Sequence, residues 1–479
     1  MSAGFRRAKI VSTIGPATVE PEVFRRLVEA GADAVRINFS HSDHEVAERI
    51  VALARDVARE TGRPLAVIGD LGGPKIRVGD LDEPIEIERD ATYCFVPEGE
   101  EAPASCEPPR TIPTTYPELG EEVESGNRIL LDDGRFEFLV TEAAAHCVTA
   151  RARNAGLLSE HKGINLPGVR VGAPSLTDKD LEDLEFATRH QLDLIALSFV
   201  RRVEDIRETR HAMDRAALLI AKIEKAQALE GLMDILGETD LVMVARGDLG
   251  VELPYEEVPM IQKRIIRLAQ ERARPVITAT QMLESMTTSP RPTRAEVSDV
   301  ANALLDGTDA VMLSGETAVG RYPVEAVQTM DRVIRRIEHE RLTRYGRVGK
   351  RIRGIAEIQQ TTSGAVAAAT MQAVERLDSP FIVTFTRSGY TARIVSAQRP
   401  AVPILALSDS WRTVNQMALT WGVQPVLFEG DANYRSMLER ARETALELGF
   451  GETGDRFVVT AGVPFHVPGT TNMMRIEEL

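Results

Sequence analysis

The chain predicts an α/β protein: a (β/α)8 barrel with an inserted small β-barrel lid and a C-terminal doubly wound α/β domain. Three observations carry that prediction. Eight short β-branched runs alternate with amphipathic stretches over the first 345 residues, the rhythm breaks once between Leu71 and about Pro174, and it resumes beyond a polar stretch at Glu340–Arg353. With 479 residues, the chain has room for about three domains at roughly 150 residues each.

The eight runs are Lys9–Ile14, Ala34–Phe39, Leu65–Leu71, Asp193–Val200, Leu218–Ile223, Leu241–Ala245, Pro275–Thr280 and Ala310–Ser314. Helical patterns with clear starts and stops lie between most of them. Glu20–Ala30 ends at Gly31, Thr177–His190 opens Thr-Asp-Lys-Asp, and Ala295–Leu305 follows Pro292 and stops before Gly307. Such alternation argues for a parallel sheet with buried strands. Eight strands is the number that closes a barrel, and an open doubly wound sheet is the alternative the pattern leaves.

Within the break, helix periodicity disappears and alternating segments (Ile85–Ile87, Tyr93–Val96, Phe136–Val140) flank an Asp132-Asp133-Gly134 turn. This reads as an all-β insert hinged at Gly72-Gly73-Pro74 and near Pro174. The Arg- and Gly-rich stretch Glu340–Arg353 reads as a linker. Beyond it Phe381–Thr386, Pro403–Leu407, Val423–Phe428 and Phe457–Thr460 are the strands of a further α/β unit. The expected division is 1–72 with 174–345 for the barrel, 73–173 for the lid, 346–354 for the linker and 355–479 for the last domain.

Charge narrows the partners. Fifty-seven Lys and Arg against 72 Asp and Glu leave a net charge of −15, which repels a phosphate backbone and argues against nucleic acid. An anionic substrate therefore needs a local cluster of cations. No run approaches the roughly 18 apolar residues of a membrane span, and the N-terminal stretch is too polar for a signal peptide, so a cytoplasmic protein is expected. Cys94, Cys106 and Cys147 have no metal-binding spacing and are expected to be reduced thiols.

Barrel enzymes place their chemistry at the C-terminal ends of the strands, and those ends are polar here. Strand two ends Arg36-Ile-Asn38-Phe-Ser40, with alternate residues facing opposite ways. Strand three ends in Asp70, strand five in Lys222-Ile-Glu224, strand six in Ala245-Arg-Gly-Asp248, strand seven at Thr280, and strand eight in Ser314-Gly-Glu316. Glu224 and Asp248 are hard oxygen ligands suited to Mg2+. Arg36 and Lys222 are fixed cations able to neutralise a phosphoryl group and a developing enolate. Gly247 sits where a backbone approaches a ligand closely, and helix N–H groups nearby favour a carboxylate. Together these point to phosphoryl transfer or enolate chemistry. The G-x-x-x-x-G-K-[ST], G-x-G-x-x-G and H-E-x-x-H motifs are absent. His41 and His44 are expected to be exposed rather than metal-bound.

The longer motifs resemble those of pyruvate kinases. They include Lys9-Ile-Val-Ser-Thr-Ile-Gly-Pro16, Val35-Arg-Ile-Asn-Phe-Ser-His41, Ala221-Lys-Ile-Glu224, Met243-Val-Ala-Arg-Gly-Asp-Leu-Gly250, Thr278-Ala-Thr-Gln-Met-Leu-Glu-Ser-Met286 and Met312-Leu-Ser-Gly-Glu-Thr317. The resemblance runs from about residue 7 to the C-terminus, with no extra N-terminal domain expected. It implies a homotetramer that moves the phosphoryl group of phosphoenolpyruvate to ADP, giving ATP and pyruvate with Mg2+ or Mn2+. By the same resemblance Lys222 stabilises the transition state, and Arg36 contacts the phosphoryl group. Glu224 and Asp248 hold the metal, with Gly247, Asp248 and Thr280 around the substrate. Asn38, Phe39, Ser40 and His41, with Arg77 and Lys162 from the lid, meet the nucleotide. Ser314 and Glu316 match a proton-relay network, and Asn38, Ser40, Asp70 and the Leu71 carbonyl match a monovalent-cation pocket.

The chain departs from the family pattern at Gly72, at Lys75 and in the loop Gly462–Gly469. Lys75 stands where K+-dependent relatives carry Glu, and this implies that a tethered ammonium replaces K+. The loop lacks the Trp and Arg that hold fructose bisphosphate. Thr386-Arg387-Ser388-Gly389-Tyr390-Thr391 nevertheless resembles an effector-phosphate site, which implies a sugar monophosphate or AMP. A metal-dependent pyruvate or enolate lyase and a catalytically silent paralogue are the alternatives. The first would not need Arg77 and Lys162, and the second would be expected to have lost Lys222 or Glu224.

Overall fold

A computed structural model describes residues 5–100, 110–345, 360–430, 433–464 and 471–479. The eight runs form a closed parallel barrel. Its strands are β1 (Lys9–Thr13), β2 (Ala34–Asn38), β3 (Ala66–Asp70) and, after the insert, β12 (Leu194–Leu197), β13 (Leu218–Ile223), β14 (Leu241–Ala245), β15 (Val276–Ala279) and β16 (Ala310–Leu313). Each pairs with its sequence neighbour in the barrel, and β1 closes the ring on β16, Lys9 opposite Ala310. The open sheet is thereby excluded.

Strand alternation sorts the side chains into two cores. Val11, Ala34, Ile68, Ala196, Ile220, Met243, Ile277 and Met312 fill the barrel interior. Ile10, Val35, Ile37, Val67, Ile195, Leu219, Val242 and Val311 pack outward against the helices. Burial on both faces is why these strands read as unbroken apolar runs.

The helix boundaries follow local chemistry. Thr177 caps Asp178–Arg189 and Thr293 caps Arg294–Asp306, each through a reciprocal capping box with Asp180 or Glu296. Asp43 accepts from the Val46 N–H at 2.8 Å to open His44–Thr61, which Gly62 closes at φ +64°. The helix beginning at Pro323 runs on through Tyr345, so Glu340–Tyr345 is helical where a linker start was expected. The rest of the expected linker lies outside the described residues.

The insert contains β4 (Ile85–Ile87), β5 (Thr92–Pro97), β6 (Thr111–Thr114), β7 (Arg128–Leu131), β8 (Phe136–Ala144), β9 (Cys147–Ala152), β10 (Gly156–Leu158) and β11 (Ile164–Asn165). Six of these strands form a sheet ordered β11-β7-β8-β9-β5-β6, and β4 pairs with β10. Residues 76–79 bond to both sheet edges, through Ile76 and Val78 to the β11 side and through Arg77 and Gly79 to the β6 side. That double attachment curls the sheet closed around Tyr93, Phe95, Phe136 and Phe138. At the first hinge Gly73 has φ +67°, and a Cβ there would lie 2.8 Å from the Phe199 ring, so both conformation and space demand glycine. At the second hinge Arg201 donates to the Val171 and Ala173 carbonyls at 2.6 and 2.7 Å. Cys94 is disulfide-bonded, which corrects the expectation of a reduced thiol at that position, whereas Cys147 is a thiol as expected and Cys106 lies outside the described residues. Pairing follows distance in the fold, and sequence spacing does not report it.

The last domain is a sheet ordered β19-β18-β17-β20-β21, built from β17 (Ile382–Phe385), β18 (Ile404–Ser408), β19 (Val423–Leu427), β20 (Arg456–Ala461) and β21 (Met473–Glu478). Both faces are covered, one by helices Thr362–Leu377 and Tyr390–Ala397 and the other by Tyr434–Glu447. β21 is an antiparallel edge strand whose Met-Met-Arg-Ile-Glu-Glu sequence carries no alternation, so sequence reasoning missed it. The domain docks under the barrel at the N-terminal ends of its strands. Arg399 forks onto both Asp309 oxygens at 2.8 and 2.9 Å, and Lys9 donates to the Val423 carbonyl at 2.8 Å. The opposite mouth of the barrel stays clear for the lid.

Candidate active site

Parallel strands bring the polar ends of β2, β3, β13 and β14 to one mouth, and the register aligns them: Asn38 lies opposite Asp70, and Lys222 opposite Met243. The ammonium of Lys222 sits at the centre. It lies 2.9 Å from Glu224 Oε1 and 3.2 Å from Asp70 Oδ1, and it donates to Ser198 Oγ at 2.7 Å. Burial alone would lower its pKa, but Asp70 and Glu224 outweigh burial and hold the ammonium above its usual value. Asp70 is equally buried, yet Arg36 and Lys222 keep it below the ordinary carboxylate range. Arg36 reaches Asp70 Oδ2 through Nε at 2.6 Å and Thr13 Oγ1 at 3.2 Å.

Glu224 Oε2 accepts the Phe199 N–H at 2.8 Å. The Asp248 carboxylate makes no hydrogen bond or ion pair among the described residues. Burial first, then the neighbouring Glu224 charge, pushes its pKa up to about 6. Two hard carboxylates from adjacent strands, one without a partner, form a donor set that fits a divalent cation.

Gly247 N–H donates to Thr280 Oγ1 at 2.9 Å, and that hydroxyl donates to the Ala279 carbonyl at 2.7 Å. Thr280 holds φ +66°, a conformation a β-branched residue rarely adopts and one that recurs at functional sites. Arg246 fixes the same corner through the Ala279 and Thr280 carbonyls and Asp299. Glu316 is fully buried and accepts the N–H groups of Leu283 and Ser314 at 2.9 and 2.7 Å.

A cavity of about 500 Å3 lies between this mouth and the lid, lined by His41, Lys75, Arg77, Asp132, Lys162 and Asp248 among others. Lys162 reaches Asp132 at 2.9 Å, and Arg77 donates to the His161 carbonyl at 2.8 Å. Lys75 is exposed, and its ammonium donates to Ser40 Oγ at 3.1 Å. Burial of that ammonium, with Lys222 and Arg77 nearby, lowers its pKa. Burial first, then the charges of Lys75, Arg77 and Arg36, lower that of His41. Phe39 departs from expectation: its ring is buried against Phe186, so only its backbone can meet a ligand. His44 is half-exposed and bonds Asp183 at 2.8 Å.

Ser198 was not anticipated. Its hydroxyl accepts a hydrogen bond from the Lys222 ammonium and donates one to the Leu71 carbonyl, each at 2.7 Å. The only sequence signal was its place at the end of the fourth strand run. Thr13 and the Phe199 N–H were missed likewise. Thr386–Thr391 lies apart from this cluster, at the end of β17. There Gly389 takes φ +73° as the helix cap, Arg393 donates to the Ser388 carbonyl at 3.1 Å, and Thr413 donates to the Arg387 carbonyl at 2.8 Å. The loop Gly462–Gly469 lies largely outside the described residues.

Comparison with known proteins adds a second line. Residues 5–327 match the family model for the pyruvate kinase barrel domain, and residues 364–477 match that for the pyruvate kinase alpha/beta domain. The chain is 44% identical over 482 residues to pyruvate kinase 2 of Synechocystis sp., covering 98% of this chain and 79% of that protein. It is 42% identical to the pyruvate kinases of Methylorubrum extorquens (98% and 97% covered) and Mycobacterium tuberculosis (99% and 98% covered). The crystal structure of a pyruvate kinase from Cryptosporidium parvum superposes with a TM-score of 0.92 at 32% identity, covering 100% of this chain and 97% of that one.

Proposed function

The chain belongs to the pyruvate kinase family and is by that membership a phosphotransferase, and from this premise we propose how its barrel mouth moves a phosphoryl group from phosphoenolpyruvate to ADP. The observation that carries the proposal is the Lys222 ammonium held between Asp70, Glu224 and Ser198, with Arg36 beside it.

An ADP β-phosphate oxygen attacks phosphorus, the bond from phosphorus to the enol oxygen breaks, and an enolate is left. Lys222 is fixed before the reaction, so its charge meets the developing enolate and phosphoryl oxygens without reorganisation. Arg36, clamped through Nε and one amino nitrogen, offers its remaining amino group to a phosphoryl oxygen. Gly247 and Thr280 receive the substrate carboxylate. Glu224 and Asp248 would hold a divalent cation, Mg2+ or Mn2+, whose charge would offset that of the phosphoryl oxygens. The enolate then takes a proton at its methylene carbon by way of Thr280 and the Ser314–Glu316 network.

Asn38, Ser40, His41, Arg77 and Lys162, with the Phe39 backbone, receive the nucleotide in the cavity beneath the lid. The Lys75 contact with Ser40 supports reading this ammonium as the substitute for K+ among Asn38, Ser40, Asp70 and the Leu71 carbonyl. The loop Thr386–Thr391 binds a sugar monophosphate or AMP, and the division at residues 1–72 with 174–345, 73–173, 346–354 and 355–479 separates catalysis, lid, linker and regulation. A cytoplasmic homotetramer completes the reading. Family membership and the intact Lys222 and Glu224 disfavour a lyase or a silent paralogue. The test is pyruvate formation from phosphoenolpyruvate and ADP, coupled to lactate dehydrogenase. Pyruvate released equally well without ADP would overturn the transfer.

A further inference from the structure

A second cavity, of about 760 Å3, opens on the far side of the barrel, between the N-terminal ends of β3 and β12 and the C-terminal domain. Arg55, Arg59, Arg63, Arg440 and His190 line it, and among the described residues no Asp or Glu does. In a chain of net charge −15, such a lining inverts the average surface. The cavity also has an apolar wall, made by Trp411, Pro425, Leu427 and Leu448.

Part of this wall is rigid. Arg55 is anchored to the buried Asp193 at 2.8 Å and lies 4.8 Å over the Trp411 ring, a cation–π contact that fixes the indole. Trp411 nevertheless remains 42% exposed. Arg59 and Arg440 are less committed. Among the described residues each makes one ion pair, with an exposed carboxylate three residues away, Asp56 and Glu443, and Arg59 also donates through Nε to the Arg55 carbonyl at 3.4 Å; exposed pairs of this kind contribute little. Their guanidinium groups are free to exchange those partners for a phosphate, which they bind in a planar fork. The volume lies within the range of small-molecule sites.

We propose that this interdomain cavity binds a small anionic ligand with a planar apolar body, of the nucleoside monophosphate class. Arg59 and Arg440 take the phosphate, and the base lies against Trp411 and Leu427. The site is separate from Thr386–Thr391, none of whose residues lines it.

The test uses the full chain carrying Ser388→Glu, which silences the loop after β17, with adenosine 5′-monophosphate and inorganic phosphate as probes. The chain has two tryptophans, and Trp421 is buried, so quenching on titration reports Trp411. Nucleotide is expected to bind, seen by calorimetry and by quenching, at least tenfold more tightly than phosphate. Adding Arg59→Glu with Arg440→Glu is expected to weaken it at least tenfold, and Arg59→Gln with Arg440→Gln by an intermediate factor. Trp411→Phe is expected to remove the quenching. No nucleotide binding in the Ser388→Glu chain, equal affinity for phosphate, or an affinity unmoved by both arginine pairs would each overturn the proposal.

Discussion

Replacing Lys222 with Met removes the one cation that touches Asp70, Glu224 and Ser198 together. A unit charge in contact with an anionic oxygen at about 4 Å, in an effective dielectric of about 20, is worth about 4 kcal/mol. The Lys222 side chain is 11% exposed, so solvent screens it little. Since about 1.4 kcal/mol is tenfold in rate, kcat is expected to fall about a thousandfold. Stability falls too: breaking a buried pair costs about 3–5 kcal/mol, moderated here because Arg36 still holds Asp70 at 2.6 Å. The assay is the lactate dehydrogenase-coupled rate at saturating phosphoenolpyruvate, ADP and Mg2+, on protein shown by thermal melting to be folded. Substrate binding, measured separately by calorimetry, is expected to persist, because the charge matters most where it develops. A folded Lys222→Met enzyme with more than a tenth of the wild-type kcat would refute the reasoning.

The remaining predictions concern the ions and the effector loop. Glu224→Gln and Asp248→Asn each raise the Mg2+ midpoint of activity. Because burial and Glu224 raise the Asp248 pKa to about 6, protons compete with the metal below that pH. The wild-type midpoint then climbs by about tenfold per unit of falling pH, and in Asp248→Asn this slope flattens; an identical slope in both would mean Asp248 is not a ligand. Activity in a K+-free tetramethylammonium buffer rises less than tenfold when KCl is added at matched ionic strength, whereas Lys75→Glu creates a dependence of tenfold or more. Ser388→Glu abolishes the response of the phosphoenolpyruvate saturation curve to sugar monophosphates, and an unchanged response would remove Thr386–Thr391 from regulation.

Much of the fold was legible because buried parallel strands leave unbroken apolar runs and because helix caps are local chemistry. Thr177 and Thr293 announce their helices through residues three positions away. β21 gave no such signal, since an edge strand packs one face weakly and is held by the backbone ladder to β20. The site was legible by a different route. Arg36, Lys222, Glu224, Asp248 and Thr280 stand at strand ends, and parallel strands in one barrel deliver all their ends to one mouth.

Residue types, spacing and the order of elements are properties of the chain, so the sequence by itself determined the barrel, the insert, the acidic surface and the ionisable groups of the mouth. Contacts between residues far apart in the chain are not encoded in any local pattern, and only the tertiary structure decided them. It brought Ser198 to Lys222 and Leu71, turned Phe39 inward, closed the lid sheet through residues 76–79 and joined Cys94 in a disulfide. It also decided the charge states: Asp70 and Asp248 are the same residue type, yet one is held anionic by two cations and the other is driven toward protonation by burial beside Glu224. A carboxylate's proton affinity is set by the burial and charges around it, and those neighbours are assembled only when the chain folds.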